Sequence, residues 1–256
     1  MLQYNHKGRR WYYSNGLWYI SVTEFVKNAL PTAPHLLKWY KDNSAEFVDQ
    51  TLRESAEFGT QFHNYMEILC GNGSLRAEQI HDERMQLLVA AGAQFLADYE
   101  VEPLMIEARL KHDADANYPL NFAGTVDLVA KTKNGFAIID WKTGNIWDTH
   151  KYQMMCYLLA LKQAFPVYED TEFQLINVRP KEWRSSKPTY EAKTWKVENN
   201  FYSADWTKLR AMMTIYEFDA PKPRKVFNGF TLGESPSWEE VAPQDYGIRA
   251  LPEEPF

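Results

Sequence analysis

Two strand-like apolar runs joined by an Asn-Gly turn constrain the fold of this chain more than any other feature of its sequence. Residues 122–131 and residues 135–142 are rich in apolar, β-branched and aromatic side chains, and Asn134-Gly135 joins them. Asn-Gly is the dipeptide most typical of tight hairpin turns. The sequence therefore predicts an antiparallel hairpin over residues 122–142.

Helical and strand-like segments surround this hairpin in an order that indicates a mixed fold. Helical spacing predicts long helices over residues 45–69 and 77–99. After the hairpin, the patterns predict a helix, two strands and a last helix over residues 148–164, 173–178, 190–197 and 203–218. We therefore expect an α/β (α+β) fold with a central mixed β-sheet flanked by helices.

Three parts of the chain differ in pattern. Residues 1–100 combine an aromatic hairpin at 11–20 with helices, and we expect them to form an N-terminal cap. Residues 101–218 alternate strands and helices and form the predicted core. Residues 219–256 contain six of the thirteen prolines, which predicts an irregular C-terminal extension.

Composition argues against several classes of protein. No run of about eighteen apolar residues occurs, so we expect no membrane-spanning helix and no membrane partner. Cys70 and Cys156 are the only cysteines, too few for a disulfide framework, and a reducing cytoplasm is the simplest setting. The net charge of -6 argues mildly against nucleic acid, although a metal-dependent phosphodiesterase must itself concentrate carboxylates.

Carboxylates stand where the two hairpin strands should be buried. Asp127 lies inside the first run, and Asp140 follows Ala-Ile-Ile in the second, directly before Trp141 and Lys142. A buried carboxylate costs free energy unless it is paired or bound to a cation. Strand alternation places Asp140 and Lys142 on one face and Trp141 on the other. Either the strand ends in a simple Asp140–Lys142 ion pair, or Asp127 and Asp140 converge to within about 4 Å on a divalent cation.

Short motifs in a fixed order connect this hairpin with the rest of the chain. They are Ser21-Val-Thr, Gly59-Thr-Gln-Phe-His63, Gly124-Thr-Val-Asp127, Asp140-Trp-Lys142-Thr-Gly144 and Gln153-x-x-x-Tyr157. Together they resemble the RecB-like branch of the PD-(D/E)XK nuclease superfamily, and within it phage exonucleases and the mitochondrial genome maintenance exonuclease. The resemblance covers about residues 21–164. It implies a restriction-endonuclease-like fold and a Mg²⁺- or Mn²⁺-dependent hydrolase acting on DNA.

The resemblance also implies which residues perform the chemistry. Metal ligands would be His63, Asp127, Asp140 and the Trp141 carbonyl. Asp127, Asp140 and Lys142 would be catalytic, with Lys142 acting on the attacking water or on transition-state charge. A lone helical histidine is otherwise more often a hydrogen-bonded core residue, so the role of His63 depends on the other motifs.

Further residues would support the site. Gln153, Tyr157 and Thr143 would hold the lysine region or the nucleic acid in place. Glu107, on a strand predicted over residues 104–110, either joins the carboxylate cluster or occupies a solvated strand position.

The resulting hypothesis is an exonuclease of phage type that acts in DNA degradation, recombination or repair. Its partners would be DNA, single- or double-stranded, and a phage or host recombination protein in the cytoplasm of a bacterium. Basic side chains such as Lys151, Arg179 and Lys181 are candidate phosphate contacts. Because there are only two cysteines, we expect no iron–sulfur cluster. The alternatives are an inactive nucleic-acid-binding module with the same fold, and a restriction-like endonuclease.

Overall fold

Strands and helices alternate along most of the part of the chain that the computed structural model describes, which is residues 1–6, 9–71, 73–184, 187–197, 202–219 and 239–241. The strands are β1 (Leu2–His6), β2 (Arg9–Ser14), β3 (Leu17–Ser21), β4 (Glu102–His112), β5 (Phe122–Thr132), β6 (Gly135–Trp141), β7 (Phe173–Lys181), β8 (Thr189–Lys196) and β9 (Glu239–Val241). The helices are α1 (Val22–Ala29), α2 (Pro34–Asp42), α3 (Ala45–Cys70), α4 (Glu83–Asp98), α5 (His150–Ala164) and α6 (Ala204–Asp219).

The strands within these residues form one mixed sheet. Its order is β8-β7-β6-β5-β3-β2-β1-β9, and β4 pairs with β5. The pairs β3–β5 and β6–β7 are parallel and the others antiparallel. Thr132 of β5 pairs with Gly135 of β6, so the predicted antiparallel hairpin forms at Asn134-Gly135. The predicted α/β class with a central mixed sheet is therefore confirmed.

One edge of β5 is shared between two partner strands. Its first residues, Phe122 and Ala123, pair with β3, and its last residues, from Leu128 to Thr132, pair with β6. The opposite edge pairs with β4 over nearly its whole length. Residues 124–127 therefore lie at a fork, where neither β3 nor β6 pairs with that edge of β5.

Two apolar cores cover the two faces of the sheet. The α5-side core joins one face to α1, α5 and α6, and includes Val22, Phe25, Ile138, Met154, Leu161 and Leu209. The α3-side core joins the other face to α3 and α4, and includes Phe62, Met66, Leu88, Phe95, Ile139 and Trp141. Ile138 and Ile139 of β6 thus pack in different cores, as expected for a strand that is buried on both faces.

The long helix α3 begins where its sequence indicates and packs through a regular stripe. The hydroxyl of Ser44 accepts a hydrogen bond from the backbone N–H of Phe47 at 3.2 Å, which caps the helix. Buried residues of its second half recur every four positions, at Phe62, Met66 and Cys70. Since this stripe faces the sheet, the neighbouring residue His63 is brought to the sheet as well.

Some of the architecture differs from what the sequence indicates. The predicted hairpin at residues 11–20 forms as β2 and β3, but it also extends the central sheet through the β3–β5 pair. The extension over residues 219–256, predicted to be irregular, lies outside the described residues except for Asp219 and for β9, which pairs with β1. Among the residues described, no helix combines the length and apolar character needed to cross a membrane.

Candidate metal centre

Three side chains from three elements meet beside the fork. His63 comes from α3, Glu107 from β4 and Asp127 from β5. The Nδ1 atom of His63 lies 3.5 Å from Asp127 Oδ1 and 3.9 Å from Glu107 Oε1. One potential ligand atom from each residue lies within 4.8 Å of the other two. We refer to these three residues as the trio.

Burial and charge act against each other within the trio. Burial alone would lower the pKa of His63, but the carboxylates of Asp127 and Glu107 outweigh it and raise that pKa to about 11. Burial raises the pKa of Glu107 to about 7, although its contact with His63 acts in the opposite direction. Burial would also raise the pKa of Asp127, but the positive charges of His63 and Lys142 outweigh it and lower that pKa. The two carboxylates therefore favour a proton on His63, which a metal ion bound there would have to displace.

A second group lies at the end of β6, where Lys142 also contacts Gln153 of α5. Lys142 Nζ lies 2.7 Å from Asp140 Oδ2, and Asn177 Nδ2 of β7 donates to the same oxygen at 2.6 Å. Burial raises the pKa of Asp140; the ammonium group of Lys142 opposes this effect, and the charge of Asp127 adds to it. The Asp140 carboxylate is thus buried between two donors.

The backbone and side chain of Trp141 connect the two groups. Its N–H donates to Asp127 Oδ2 at 2.8 Å. Its indole makes edge-to-face contacts with Phe62 of α3 and Phe95 of α4, with ring centroids 6.2 and 5.7 Å apart. Trp141 therefore fixes the helix that carries His63 to the strand that carries Asp140.

Glu107, whose role the sequence leaves open, is the carboxylate that joins Asp127 and His63 in the cluster. Asp140 is held by Lys142 and Asn177, and its convergence with Asp127 to within about 4 Å on a shared cation stays a prediction. The charges of Asp127 and Asp140 still interact, so the two groups belong to one electrostatic site.

A left-handed backbone at Glu107 explains how its side chain reaches the cluster. Its φ is 47°, inside a strand, where a residue with a side chain is strained. Met105 and Ala108 pack in the same core, although strict alternation puts residues three apart on opposite faces. The turn at Glu107 thus shifts the alternation of β4 by one residue and directs the carboxylate of Glu107 to His63.

The predicted supporting residues of α5 contact Lys142 directly or through one another. Lys142 Nζ donates to Gln153 Oε1 at 3.5 Å, and Gln153 Nε2 donates to the hydroxyl of Tyr157 at 3.0 Å. The ring of Tyr157 packs against Gly124 at the fork. Thr143 lies near α3, since a Cβ built on Gly59 would be 3.5 Å from Thr143 Oγ1.

We expect Gly124→Ala to destabilise the protein and to lower any activity that depends on Lys142. A Cβ there would lie 2.6 Å from Tyr157 Cε1 and 3.3 Å from Val22 Cγ2, so the Tyr157 ring must shift. Overpacking of this kind costs about 1–3 kcal/mol, measurable by denaturant unfolding. Gly59→Ala is the matched control, because its Cβ makes only an ordinary contact and should leave stability equal or higher. Equal stability of both variants and the wild type would contradict the close packing of Gly124 against Tyr157.

The predicted DNA contacts are engaged within the protein. Lys151 Nζ lies 2.6 Å from Asp205 Oδ1, and the side chains of Arg179 and Lys181 lie 3.9 and 3.3 Å from Glu191 Oε2. Such exposed or half-exposed pairs are weak and can exchange for phosphate. A role of these residues in binding DNA stays a prediction.

Two neighbours of the site were not predicted. Asn177 is a polar residue inside the apolar run Leu-Ile-Asn-Val, the same signal that singled out Asp140. Cys70 lies two helical turns beyond His63. Burial raises the pKa of its thiol to about 12, and the charges of Asp127 and Glu107 add to this effect. Burial and the two nearby negative charges therefore favour the thiol form of Cys70.

The trio has the donor chemistry of a site for a hard divalent cation. Carboxylate oxygens are the ligands that Mg²⁺ and Mn²⁺ prefer. Imidazole is a common ligand of transition metals, so a histidine in the group is compatible with Mn²⁺. The donors project from a helix and two strands, which keeps their positions rigid. The group that would hold the ion is therefore His63, Glu107 and Asp127.

Comparison with known proteins agrees with this geometry. Residues 36–224 match the profile of the PD-(D/E)XK nuclease superfamily, whereas a comparison with curated proteins gave no match. The matched range covers well over half of the chain and includes both groups of the site. The chain belongs to the PD-(D/E)XK nuclease superfamily.

Proposed function

We propose that this protein is a Mg²⁺- or Mn²⁺-dependent deoxyribonuclease of the RecB-like branch that degrades DNA from its ends. The observation that carries the proposal is the trio beside the fork, joined through Trp141 to the Asp140–Lys142 pair. A purely structural ion pair would explain Asp140 and Lys142. It would not explain two further carboxylates and a histidine gathered beside them.

Different residues of the site have different roles in the proposed hydrolysis of a phosphodiester. His63, Glu107 and Asp127 would hold the cation, and Asp140 and the Trp141 carbonyl would complete its ligands. A bound Mg²⁺ or Mn²⁺ would polarise the scissile phosphate and lower the pKa of a bound water, so that hydroxide is available as the nucleophile. Lys142 orients or deprotonates that water and stabilises negative charge in the transition state.

The supporting residues hold the amine of Lys142 in position. Gln153 accepts from Lys142, and Tyr157 in turn accepts from Gln153. Thr143 Oγ1 lies close to Gly59 of α3, at the start of the loop after β6. The contacts of Gln153 and Tyr157 would limit the motion of the lysine amine, which raises the fraction of time that it spends in the reactive geometry.

The proposed biological setting follows from the resemblance to phage exonucleases. We place the enzyme in DNA degradation, recombination or repair in the cytoplasm of a bacterium, beside a phage or host recombination protein. The two buried free thiols, Cys70 and Cys156, are compatible with such a reducing compartment.

Cleavage should require a divalent cation. We expect purified protein to degrade linear DNA with Mg²⁺ or Mn²⁺, to lose all activity in excess chelator, and to bind Ca²⁺ without turnover. Gel electrophoresis of end-labelled DNA measures this. Full activity in excess chelator would exclude the metal mechanism.

The topology of the DNA substrate separates the remaining functions. We compare linear with covalently closed circular DNA, each single- and double-stranded. Degradation of the linear forms alone supports the exonuclease. Rapid cutting of the circles would favour a restriction-like endonuclease, and binding without cleavage under every metal condition would favour an inactive binding module.

A further inference from the structure

Asn177 is a fully buried polar residue at the centre of the site. It lies on β7, which runs parallel to β6, and its register partner is Asp140. Its neighbours Ile176 and Val178 are fully buried apolar residues, and Asn177 itself has no exposed surface. An amide in such a place costs free energy unless its hydrogen bonds are made.

The hydrogen bonds of Asn177 are directed at one residue and leave one atom unsatisfied. Nδ2 donates to Asp140 Oδ2 at 2.6 Å and approaches the Asp140 carbonyl oxygen at 3.5 Å. The Oδ1 atom is buried and has no hydrogen-bond partner in the described part of the chain. Since a buried acceptor without a partner destabilises a fold, stability alone would favour an apolar residue here. The residue is better explained by what its amide does for Asp140.

We propose that Asn177 is a positioning residue that fixes the Asp140 carboxylate for metal binding, an inference that rests on the proposed function. Both donors in this group, Asn177 Nδ2 and Lys142 Nζ, bind the Oδ2 atom of Asp140. The Oδ1 atom of Asp140 is thereby left for the cation. Outer contacts of this kind orient a metal-binding carboxylate and strengthen its affinity for the ion.

The two donors differ in what they can do during the reaction. Lys142 has a long flexible stem and also contacts Gln153, so it can leave Asp140 to act on water or phosphate. Asn177 is short and anchored in the sheet, and it carries no charge that would compete with a cation. It therefore keeps Oδ2 bonded while Lys142 is engaged elsewhere.

The test measures Mn²⁺ binding by titration calorimetry without DNA. Asn177→Leu keeps the branched shape of the side chain and lacks the donor. Asn177→Ala and Asn177→Ser leave nearly the same space and differ by one hydroxyl group. We expect the affinity for Mn²⁺ to fall about 10- to 100-fold in the Leu and Ala variants, the range typical of lost outer contacts, and to recover partly in the Ser variant.

Controls separate positioning from a general loss of structure. Thr132→Val removes another buried hydrogen bond, from Thr132 to the carbonyl of Gly135 at the far end of β5, and should leave Mn²⁺ affinity unchanged. Thermal unfolding checks that each variant remains folded, since Asn177→Leu removes both the unsatisfied Asn177 Oδ1 acceptor and one of the two donors to Asp140. Under saturating Mn²⁺, the KM for DNA should stay unchanged while kcat falls.

The outcomes distinguish this inference from the proposed function. Wild-type Mn²⁺ affinity in the folded Leu, Ala and Ser variants overturns the role of Asn177 while the nuclease proposal stands. Absence of Mn²⁺ binding and of cleavage in the wild type overturns the proposed function itself. If Asn177→Leu fails to fold, the difference between the Ala and Ser variants decides.

Discussion

Asp127→Asn should abolish metal binding and cleavage while the protein stays folded. The carboxylate accepts the Trp141 N–H through Oδ2 and faces His63 through Oδ1. An amide oxygen can still accept from Trp141, so the fork keeps its backbone contact. The substitution removes the negative charge that attracts a cation, and with the cation the site loses several kcal/mol of transition-state stabilisation. This loss corresponds to a fall of about 10³-fold or more in kcat/KM.

Calorimetric titration with Mn²⁺ and steady-state cleavage of end-labelled DNA measure this effect together. Asp98→Asn is the matched control, because it removes the same charge from a carboxylate that accepts from Tyr190 at the end of α4. It should bind Mn²⁺ and cleave DNA as the wild type does. An Asp127→Asn protein with wild-type Mn²⁺ affinity would remove Asp127 from the proposed ligands.

Lys142→Ala should separate chemistry from binding. The amine is held by Asp140 and Gln153 rather than by any apolar contact needed for the fold. Because it acts on the attacking water or on developing charge, its loss should lower kcat about 10²- to 10⁴-fold. The KM for DNA should change far less, since the contact is made mainly in the transition state.

The control for this variant is Lys162→Ala, on the same side of the sheet. Its amine donates to the carbonyl of Glu169 at 2.8 Å, at the other end of α5 from Gln153. It removes the same charge and should leave kcat unchanged. Lys142→Arg tests geometry, because it keeps the charge on a larger and planar group and should remain strongly impaired. If Lys142→Ala retains wild-type kcat, the lysine is a structural ion-pair partner only.

Local patterns were sufficient to predict most elements of this fold. The Asn134-Gly135 turn predicted the β5–β6 hairpin, and the spacing of Phe62 and Met66 predicted the buried stripe of α3. Pairing between strands that are distant in the sequence was not predictable in this way. The β3–β5 contact, which produces the fork, consists of two residue pairs across some hundred positions and leaves no mark on local periodicity.

The candidate site was predictable to the extent that its strands are regular. The motifs indicated His63 and Asp127, whose side chains lie 3.5 Å apart, and alternation placed Asp140 and Lys142 together. The role of Glu107 was left open, because its side chain reaches His63 only through a left-handed backbone. A glutamate carries no sequence signal for that conformation. The catalytic and ligand roles of these residues remain predictions.

The residues of the centre lie on segments that are synthesised far apart in time. His63 leaves the ribosome early, whereas Asn177 follows only with β7. Contacts between such distant positions form late, because long loops must close before strands can pair. A nascent chain that ends before β7 therefore has no donor from that strand to hold Asp140. The proposed metal centre can therefore be complete only after β7 has joined the sheet beside β6.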